Sequence, residues 1–291
     1  MRPNIPYRLI QADSSTYAAY FATYRKNVWF RPSWSDIHSM MLEATDCYWI
    51  YSAEHRIAGI SLVDDELGSL FMIPPHTLTK ETVEFLKDYM IRKKSKPDQL
   101  HAYNVMPEHI SLFEHAEFNK LSTRKCMIRP TETLENPLTS KLKRIRPERV
   151  HMPKLAEIMI EAYRGGVEEQ SMDDCQNDLT YYFDHYEQDE LRGASSILVE
   201  QDTERIVGFC LVTLWENLPL IYDIAVTPAY RSEGLGSYLL HHAITTLAPI
   251  YPVIRLFVTQ GNPAEHLYIK VGFLSGDELS HLVWFGTNHR G

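Results

Sequence analysis

A glycine-containing turn between a strand-like and a helix-like segment is the feature that most constrains the fold of this chain. The apolar run Leu220–Val226 predicts a strand, and the run Leu235–Thr246 predicts a helix. Between them, Arg231, Gly234 and Gly236 form an Arg-x-x-Gly-x-Gly turn that leads directly into the helix. The first N–H groups of a helix lack intrahelical acceptors and carry a partial positive charge. Such a strand–turn–helix unit is therefore suited to bind a phosphate or pyrophosphate.

A second motif follows this unit along the chain. Residues 262–273 read Asn-Pro-Ala-Glu-His-Leu-Tyr-Ile-Lys-Val-Gly-Phe. In order and spacing, the two motifs resemble the acyl-CoA-binding core of the GNAT N-acetyltransferase superfamily, whose second motif is Asn-x-x-Ala-x-x-Leu-Tyr-x-x-x-Gly-Phe. The chain departs from that pattern at one place, because its alanine stands at position 264 rather than 265. The resemblance covers roughly Leu142 to Phe285.

The resemblance implies a mixed α/β fold and acetyl-CoA as the co-substrate. In the family, backbone amides of the turn hold the CoA pyrophosphate, a role that falls here to Arg231, Ser232, Glu233, Gly234, Leu235, Gly236 and Ser237. The family's strand splays at its end and pairs with the pantetheine, which corresponds here to Ile224, Ala225 and Val226. The N–H of Val226 is then the expected donor to the thioester carbonyl. Asn262 is expected either to cap the last helix or to hydrogen-bond the pantetheine.

Acetyl transfer to an amine needs a base for the ammonium and an acid for the departing thiolate. The family often uses the tyrosine of the second motif as the acid, and a phenol pKa of about 10 lies close to a thiol pKa of about 8.5. This implies that Tyr268 is the acid. Asp223 interrupts an apolar strand, where an unpaired carboxylate is costly to bury, so it is the leading candidate base. A tyrosine packed on the sheet and a carboxylate with only structural hydrogen bonds are the alternative interpretations.

Strand alternation assigns the residues around Asp223 to two faces of the sheet. One face is predicted to hold Ile221, Asp223 and Ala225, and the other Tyr222, Ile224 and Val226.

The segment Gly165–Glu190 is strongly acidic and contains no Lys or Arg. A negative local field attracts cations, so we expect a primary amine of a cationic small molecule or peptide as the acceptor. Glu168 and Glu169 are the substrate-binding candidates and alternative bases, whereas a solvated acidic surface is the other interpretation. Candidates for an aromatic wall are Tyr163, Tyr181, Tyr182, Phe183 and Tyr186.

The chain also repeats its own plan. Arg56–Val63 matches Arg205–Val212 at five of eight positions, and each octapeptide follows a strand-like run and a polar turn. Both therefore predict a β-hairpin. Two further matches occur in the same order, Leu70–Pro74 with Ile224–Pro228 and Leu112–Phe118 with Leu267–Phe273. We predict two tandem α/β domains (α+β mixed sheets, mostly antiparallel and flanked by helices), residues 1–135 and 141–291, with the boundary in Pro130–Ser140.

The first copy lacks the residues expected to carry the chemistry. Alignment on the shared proline places Thr77, Lys80 and Thr82 where the second copy has Arg231, Gly234 and Gly236. Alignment on the shared phenylalanine places Phe113 where the second copy has Tyr268. We predict a single acetyl-CoA site, in the second copy. The first copy is then structural or helps to wall the acceptor site, and an unrelated ligand site there is the alternative.

Composition restricts the partners. A net charge of −9 argues against nucleic acid, and no apolar run approaches the ~20 residues that span a bilayer. The start of the chain lacks the apolar region of a signal peptide. Neither the cysteines nor the histidines have metal-ligand spacing, and scattered cysteines suit a reducing compartment. We expect a cytoplasmic monomer or homodimer without a metal.

Two other functions fit the same motifs. The tandem layout with an active second half also resembles mycothiol synthase, which acetylates the cysteinyl amine of an aminosugar-inositol. An acetyl-CoA sensor without turnover is an alternative from another class, although it needs neither Tyr268 nor Asp223.

Overall fold

The computed structural model describes residues 7–31, 33–93, 97–135, 140–186, 191 and 193–286. Its contacts divide the chain into two units, residues 1–124 with 277–291 and residues 125–276. The division predicted at residues 135 and 141 concerns common ancestry, which contacts do not test, and it stays a prediction. Residues 136–139 of the expected boundary lie outside the described residues.

The first unit is a mixed sheet flanked by helices. Its strand order is β1-β2-β3-β4-β5-β12, in which β4 and β5 are parallel and the other neighbouring strands are antiparallel. The strands are β1 (Tyr7–Gln11), β2 (Cys47–Ser52), β3 (His55–Val63), β4 (Glu66–Met72), β5 (Gln99–Val105) and, from residue 277 onward, β12 (Leu274–Phe285). The helices are α1 (Ser14–Tyr24), α2 (Trp34–Met41), α3 (Lys80–Lys93) and α4 (Ile110–His115).

The second unit has the same plan. Its strand order is β6-β11-β10-β9-β8-β7, with β10 and β11 parallel and the strands from β10 to β7 antiparallel. The strands are β6 (Asn119–Pro130, of which residues 125–130 belong to this unit), β7 (Leu142–Ile145), β8 (Ser196–Glu200), β9 (Ile206–Trp215), β10 (Leu218–Val226) and β11 (Val253–Thr259). The helices are α5 (Met152–Tyr163), α6 (Met172–Tyr181), α7 (Leu235–Leu247) and α8 (Ala264–Val271), and a π-helical turn, Tyr182–Tyr186, extends α6.

Helices cover both faces of the second sheet. On one face α7 and α8 enclose a core that includes Leu239, Ala243 and Leu256, and on the other α5 and α6 enclose a core that includes Leu155 and Phe209. Burial on both faces explains why β9 is an almost continuous apolar run rather than an alternating one. The apolar positions of α7 recur at helical spacing and form its buried face.

The predicted fold class, tandem mixed α/β with flanking helices, is confirmed. Both predicted hairpins are present as β2–β3 and β8–β9. The described cysteines are buried free thiols. Within the ranges that the structure describes, no helix has the length and apolar character needed to cross a bilayer.

Candidate active site

The end of β10 opens a gap in the second sheet. β10 pairs with β11 only at Leu220 and Ile221, whereas its pairing with β9 continues to Val226. Thr227 donates its N–H to the main-chain oxygen of Val207, 2.9 Å away, toward β9. Successive N–H groups of a strand point to opposite edges, so that of Val226 points toward the open edge. The splay that the resemblance implied is therefore present in the backbone.

A β-bulge in β10 alters the predicted faces. The register with β9 shifts between Ile221 and Asp223, which leaves Tyr222 as the extra residue. Ile221 joins the core under α7 and α8, while Tyr222 packs in the core under α5 and α6 and donates to the Asp178 main-chain oxygen at 3.1 Å. The prediction that Ile221 shares a face with Asp223, opposite Tyr222, was therefore wrong. The extra residue reverses the alternation on one side of the bulge.

Asp223 is held by a tyrosine from the last position of α5. The hydroxyl of Tyr163 hydrogen-bonds Asp223 Oδ1 and lies 3.1 Å from the main-chain oxygen of Ile224. The pKa of Asp223 is raised to about 7, mainly by burial and also by the negative charges of Asp178 and Glu168, while the hydrogen bonds from Tyr163 and from the Ile224 N–H oppose the increase. A carboxylate with this pKa is half ionised at neutral pH, which suits a general base.

Tyr268 lies in the core under α7 and α8 and is 6% exposed. Gly272 ends α8 in the left-handed conformation, with φ of 100°, and the N–H of Phe273 then bonds the Tyr268 main-chain oxygen at 3.0 Å. The Gly-Phe pair of the motif thereby fixes the end of the helix and places the Phe273 ring 6.2 Å from that of Tyr268. Burial, followed by the charge of Asp223, raises the pKa of Tyr268, so the phenol stays protonated at neutral pH.

The glycine turn presents a free helix start. Ser232 and Gly234 have φ of 66° and 81°, and Gly234 is the N-cap of α7 without a side-chain hydrogen bond to its first turn. The N–H groups of Leu235, Gly236 and Ser237, the first three helical residues, therefore lack intrahelical acceptors. A Cβ at Gly236 would lie 2.8 Å from Cδ2 of Leu267. This glycine permits close packing of α7 on α8, a role that the sequence interpretation missed.

Two other predicted cofactor-binding residues have structural contacts. The guanidinium of Arg231 hydrogen-bonds the main-chain oxygen of Ala162, near the end of α5. Oδ1 of Asn262 accepts the N–H of Ala264 at 2.9 Å and holds the start of α8, which is one of the two roles predicted for it. Ser232 and Glu233 are exposed in the turn.

The acidic segment contributes unequally. Glu168 is half-buried, and its charge raises the pKa of Asp223, Tyr163 and Tyr268, which places it near the site. Glu169 is exposed. Other acidic residues of this segment have structural roles. Asp174 completes the cap of α6, Asp173 lies in the first turn of that helix, and Asp184 pairs with Arg149. Glu187, Asp189 and Glu190 lie outside the described residues.

The first unit contains a similar gap, but a side chain bridges it. β4 and β5 pair only at residues 66–67 and 101–102. Beyond these pairs, the guanidinium of Arg25 donates to the main-chain oxygens of Leu70 and Asn104, at 2.7 and 2.9 Å. Arg25 thus occupies backbone acceptors of both strands at the place where the second unit is open.

Comparisons with known proteins agree with this geometry. The model of the acetyltransferase (GNAT) family matches residues 152–273, which include α5, the glycine turn and α8. A GCN5-related N-acetyltransferase from Sphaerobacter thermophilus superposes with a TM-score of 0.67 at 13% identity, over 98% of this chain and 97% of that one. A tandem GNAT protein from the clavulanic acid biosynthesis pathway gives 0.62 at 10% identity, over 96% and 98%. No curated protein matches the sequence.

A third solved structure is part of a larger enzyme. A GCN5-related glucosamine N-acetyltransferase region of a fungal multi-domain GH3 β-N-acetylglucosaminidase superposes with a TM-score of 0.60 at 9% identity, over 97% of this chain and 38% of that one. At such identities the likeness establishes the fold. The family match assigns residues 152–273, which lie in the second unit, to the GNAT acetyltransferase family, and the whole chain shares its fold with the tandem GNAT protein. GNAT proteins are acetyltransferases that generally use acetyl-CoA.

The conformation of Gly234 leads to a stability prediction. Gly234→Ala should lower the free energy of unfolding by about 1 kcal/mol, because a Cβ is unfavourable at positive φ although no atom lies within 4 Å of its place. Gly234→Asn should cost less, since asparagine tolerates this region. Denaturant unfolding of both variants measures the difference. Equal losses would show that backbone strain is not the cause.

Proposed function

We propose that the chain transfers the acetyl group of acetyl-CoA to a primary amine of a cationic small molecule or peptide, by direct attack on the thioester. The observation that carries this proposal is the position of Asp223. Its carboxylate, with a pKa of about 7, lies in β10 beyond the last pair with β11, and β10 leads through residues 227–234 to the free start of α7. A base and an anion-binding helix start are what this reaction requires at adjacent places.

The residues of the second unit fit acetyl-CoA. The N–H groups of Leu235, Gly236 and Ser237 are suited to bind its pyrophosphate. The open edge of β10 is suited to pair with the pantetheine as an added strand, with the Val226 N–H toward the thioester carbonyl. The first unit, where Arg25 bridges the corresponding gap, does not offer this edge. These contrasts support one acetyl-CoA site per chain.

Two side chains of the second unit move protons in the proposed reaction. Asp223 takes a proton from the substrate ammonium, which breaks an N–H bond and leaves the nitrogen lone pair free to form the new C–N bond. The C–S bond then breaks, and Tyr268 donates its proton to the departing thiolate sulfur. Tyr268 regains a proton from the acylated nitrogen, so the products are the acetamide, CoA and the proton carried by Asp223, which passes to solvent.

The charges around Asp223 support a cationic acceptor. Glu168 and Asp178 act on Asp223 from two segments, and the sequence from Gly165 to Glu190 contains no Lys or Arg. A cation gains from this field before it loses its proton. We also propose that nucleic acids and membranes are not partners, given the net charge of −9, and that the chain works in the cytoplasm as a monomer or homodimer.

Calorimetry tests the cofactor assignment. Titration of acetyl-CoA should give one site per chain, and Ser237→Glu should weaken its affinity at least about tenfold while the melting temperature is kept. A carboxylate at the third helical position is favourable to the helix but repels a phosphate held there. Ser237→Gln, similar in size and neutral, is the matched control and should bind more tightly than the Glu variant. Gly236 is a poor choice for this test because a Cβ there would contact Leu267.

Each other result has a clear meaning. Two sites would contradict the assignment of the first unit as degenerate. No binding to a folded protein would contradict acetyl transfer altogether. Binding without turnover across a panel of polyamines, aminoglycosides, aminosugars and lysine peptides would favour the sensor alternative.

A further inference from the structure

A tyrosine that neither motif contains joins the proposed base to the strand end. Tyr163 ends α5, and its hydroxyl contacts both Asp223 Oδ1 and, at 3.1 Å, the main-chain oxygen of Ile224. A phenol has one proton, so it cannot donate to both oxygens at once. At any moment, therefore, the phenol donates its proton to one of the two oxygens. Toward the other oxygen it either accepts a hydrogen bond or makes none.

The protonation state of the carboxyl decides which arrangement holds. When Asp223 is ionised it only accepts, so the hydroxyl of Tyr163 donates to Oδ1. When Asp223 is protonated its own O–H donates to the Tyr163 oxygen, and the phenol proton turns to the carbonyl of Ile224. Both states thus have a complete set of partners without movement of heavy atoms. Burial raises the pKa of Tyr163 well above its usual value, so the phenol itself stays protonated throughout.

We infer that Tyr163 is the positioning residue of the base, and that its hydroxyl exchanges partners between Asp223 and the Ile224 carbonyl as the carboxyl loses and gains its proton. This inference rests on the proposed function, in which Asp223 takes the proton from the amine. It assigns Tyr163 a role in every turnover rather than in folding alone.

Other groups around Asp223 act through charge. Six titratable side chains either affect the pKa of Asp223 or have their own pKa affected by it. They lie on α5, on the loop after α5, on α6, on β9 and on α8, and they are Tyr163, Glu168, Cys175, Asp178, Cys210 and Tyr268. Among the described residues, the side-chain hydrogen bond to this carboxylate comes from Tyr163. Removal of that hydroxyl therefore changes the base in a way that loss of a nearby charge does not.

Tyr163→Phe tests the inference. A hydrogen bond to a carboxylate is stronger than one from a carboxylic acid, so loss of both should raise the pKa of Asp223 by about one pH unit. Carboxyl-carbon NMR of the free protein measures this directly, with Asp223→Asn for assignment. The same change should lower kcat/KM about tenfold at pH 6 but less than about twofold at pH 9, because the carboxyl is ionised at high pH in both proteins.

Tyr182→Phe is the matched control, since its buried hydroxyl bonds Ser195 and the Val212 main-chain oxygen instead. It should leave the pKa of Asp223 unchanged. An unchanged pKa in Tyr163→Phe would overturn the inference, as would equal shifts in both variants. If Tyr163→Phe does not fold, the Cζ signal of Tyr163 in the wild-type protein decides, because it should titrate together with Asp223.

The readouts separate this inference from the proposed function. The NMR titration needs no substrate, so it supports or overturns the partner exchange even if no amine is acetylated. Failure of acetyl transfer with a coupled titration would contradict the proposed function alone. A coupled titration with activity that survives Asp223→Asn would contradict the assignment of the base and, with it, the catalytic role of Tyr163.

Discussion

Replacement of Asp223 by Asn should lower kcat/KM by about 10²–10⁴-fold at pH 8, the usual contribution of a general base. Asparagine keeps the size of the side chain and still accepts the hydrogen bond of Tyr163, so the geometry is retained while the basic oxygen is lost. Initial rates with an acceptor from the amine panel, together with calorimetric binding of acetyl-CoA, measure the effect. The affinity for acetyl-CoA should stay within about twofold of wild type.

The pH dependence follows from the same carboxyl. The base acts when ionised, so the wild-type kcat/KM should rise about tenfold per pH unit below 7 and level off above it, in line with a pKa of about 7.

The same carboxyl should make stability depend on pH. Its pKa in the folded protein is raised above the ordinary value of 3.8, so between these two values the folded protein binds more protons than the unfolded chain. Stability that this group provides below pH 3.8 is therefore lost as the pH rises through 7. Asp223→Asn removes the buried charge and should unfold at higher temperature than wild type at pH 8, with the difference vanishing below pH 4.

Glu168→Gln is the matched control for removal of one negative charge. Glu168 acts on Asp223 only through its charge, so its loss should lower the pKa of Asp223 and shift the acidic limb of the pH profile to lower pH. It should raise KM for a cationic acceptor with little loss of kcat. If Glu168→Gln lost as much kcat as Asp223→Asn, the assignment of the base would be wrong.

Local sequence signals predicted the elements that frame the site. The predicted strand Leu220–Val226 and the predicted helix Leu235–Thr246 are present as β10 and α7, with bounds that differ by at most two residues. Apolar periodicity and turn residues specify such elements within a few neighbouring residues, so a single sequence reveals them. The glycine turn at the start of α7 was predictable for the same reason, since strand, turn and helix follow one another in the chain.

Features that depend on distant residues were not predictable. The bulge at Tyr222 depends on register with β9, and strand alternation alone placed Ile221 on the wrong face. Tyr163 was only one of several aromatic candidates, because nothing in the sequence pairs it with Asp223, 60 positions away. Arg25 bridges Leu70 and Asn104, an arrangement that alignment of the two copies does not reveal. The sequence did carry one signal, a single carboxylate in an apolar strand, which requires some partner.

Replacement of Tyr268 by Phe should reduce kcat by about 10²–10³-fold without weakening acetyl-CoA binding. The phenol proton is needed when the thiolate leaves and is not needed to hold the cofactor, so the loss should appear in kcat rather than in the dissociation constant. Because burial and the charge of Asp223 raise the pKa of Tyr268, its ionisation should not add a limb to the neutral pH profile. The variant should therefore keep the acidic limb near pH 7 that Asp223 produces.

Tyr238→Phe controls for loss of a buried hydroxyl in the same core. Tyr238 is 7% exposed against 6% for Tyr268, and its hydroxyl accepts a hydrogen bond from Arg144 at 2.8 Å. Tyr238→Phe should retain kcat within about threefold, since small losses of core stability do not reach the reacting atoms.

The dependence of the rate on the leaving group gives a second test of Tyr268. A thiol of lower pKa leaves with less help from an acid. The acetyl thioester of a more acidic thiol should therefore restore part of the rate in Tyr268→Phe and none in Asp223→Asn. Equal restoration in both variants would show that Tyr268 is not the acid, because the two side chains would then limit the same step.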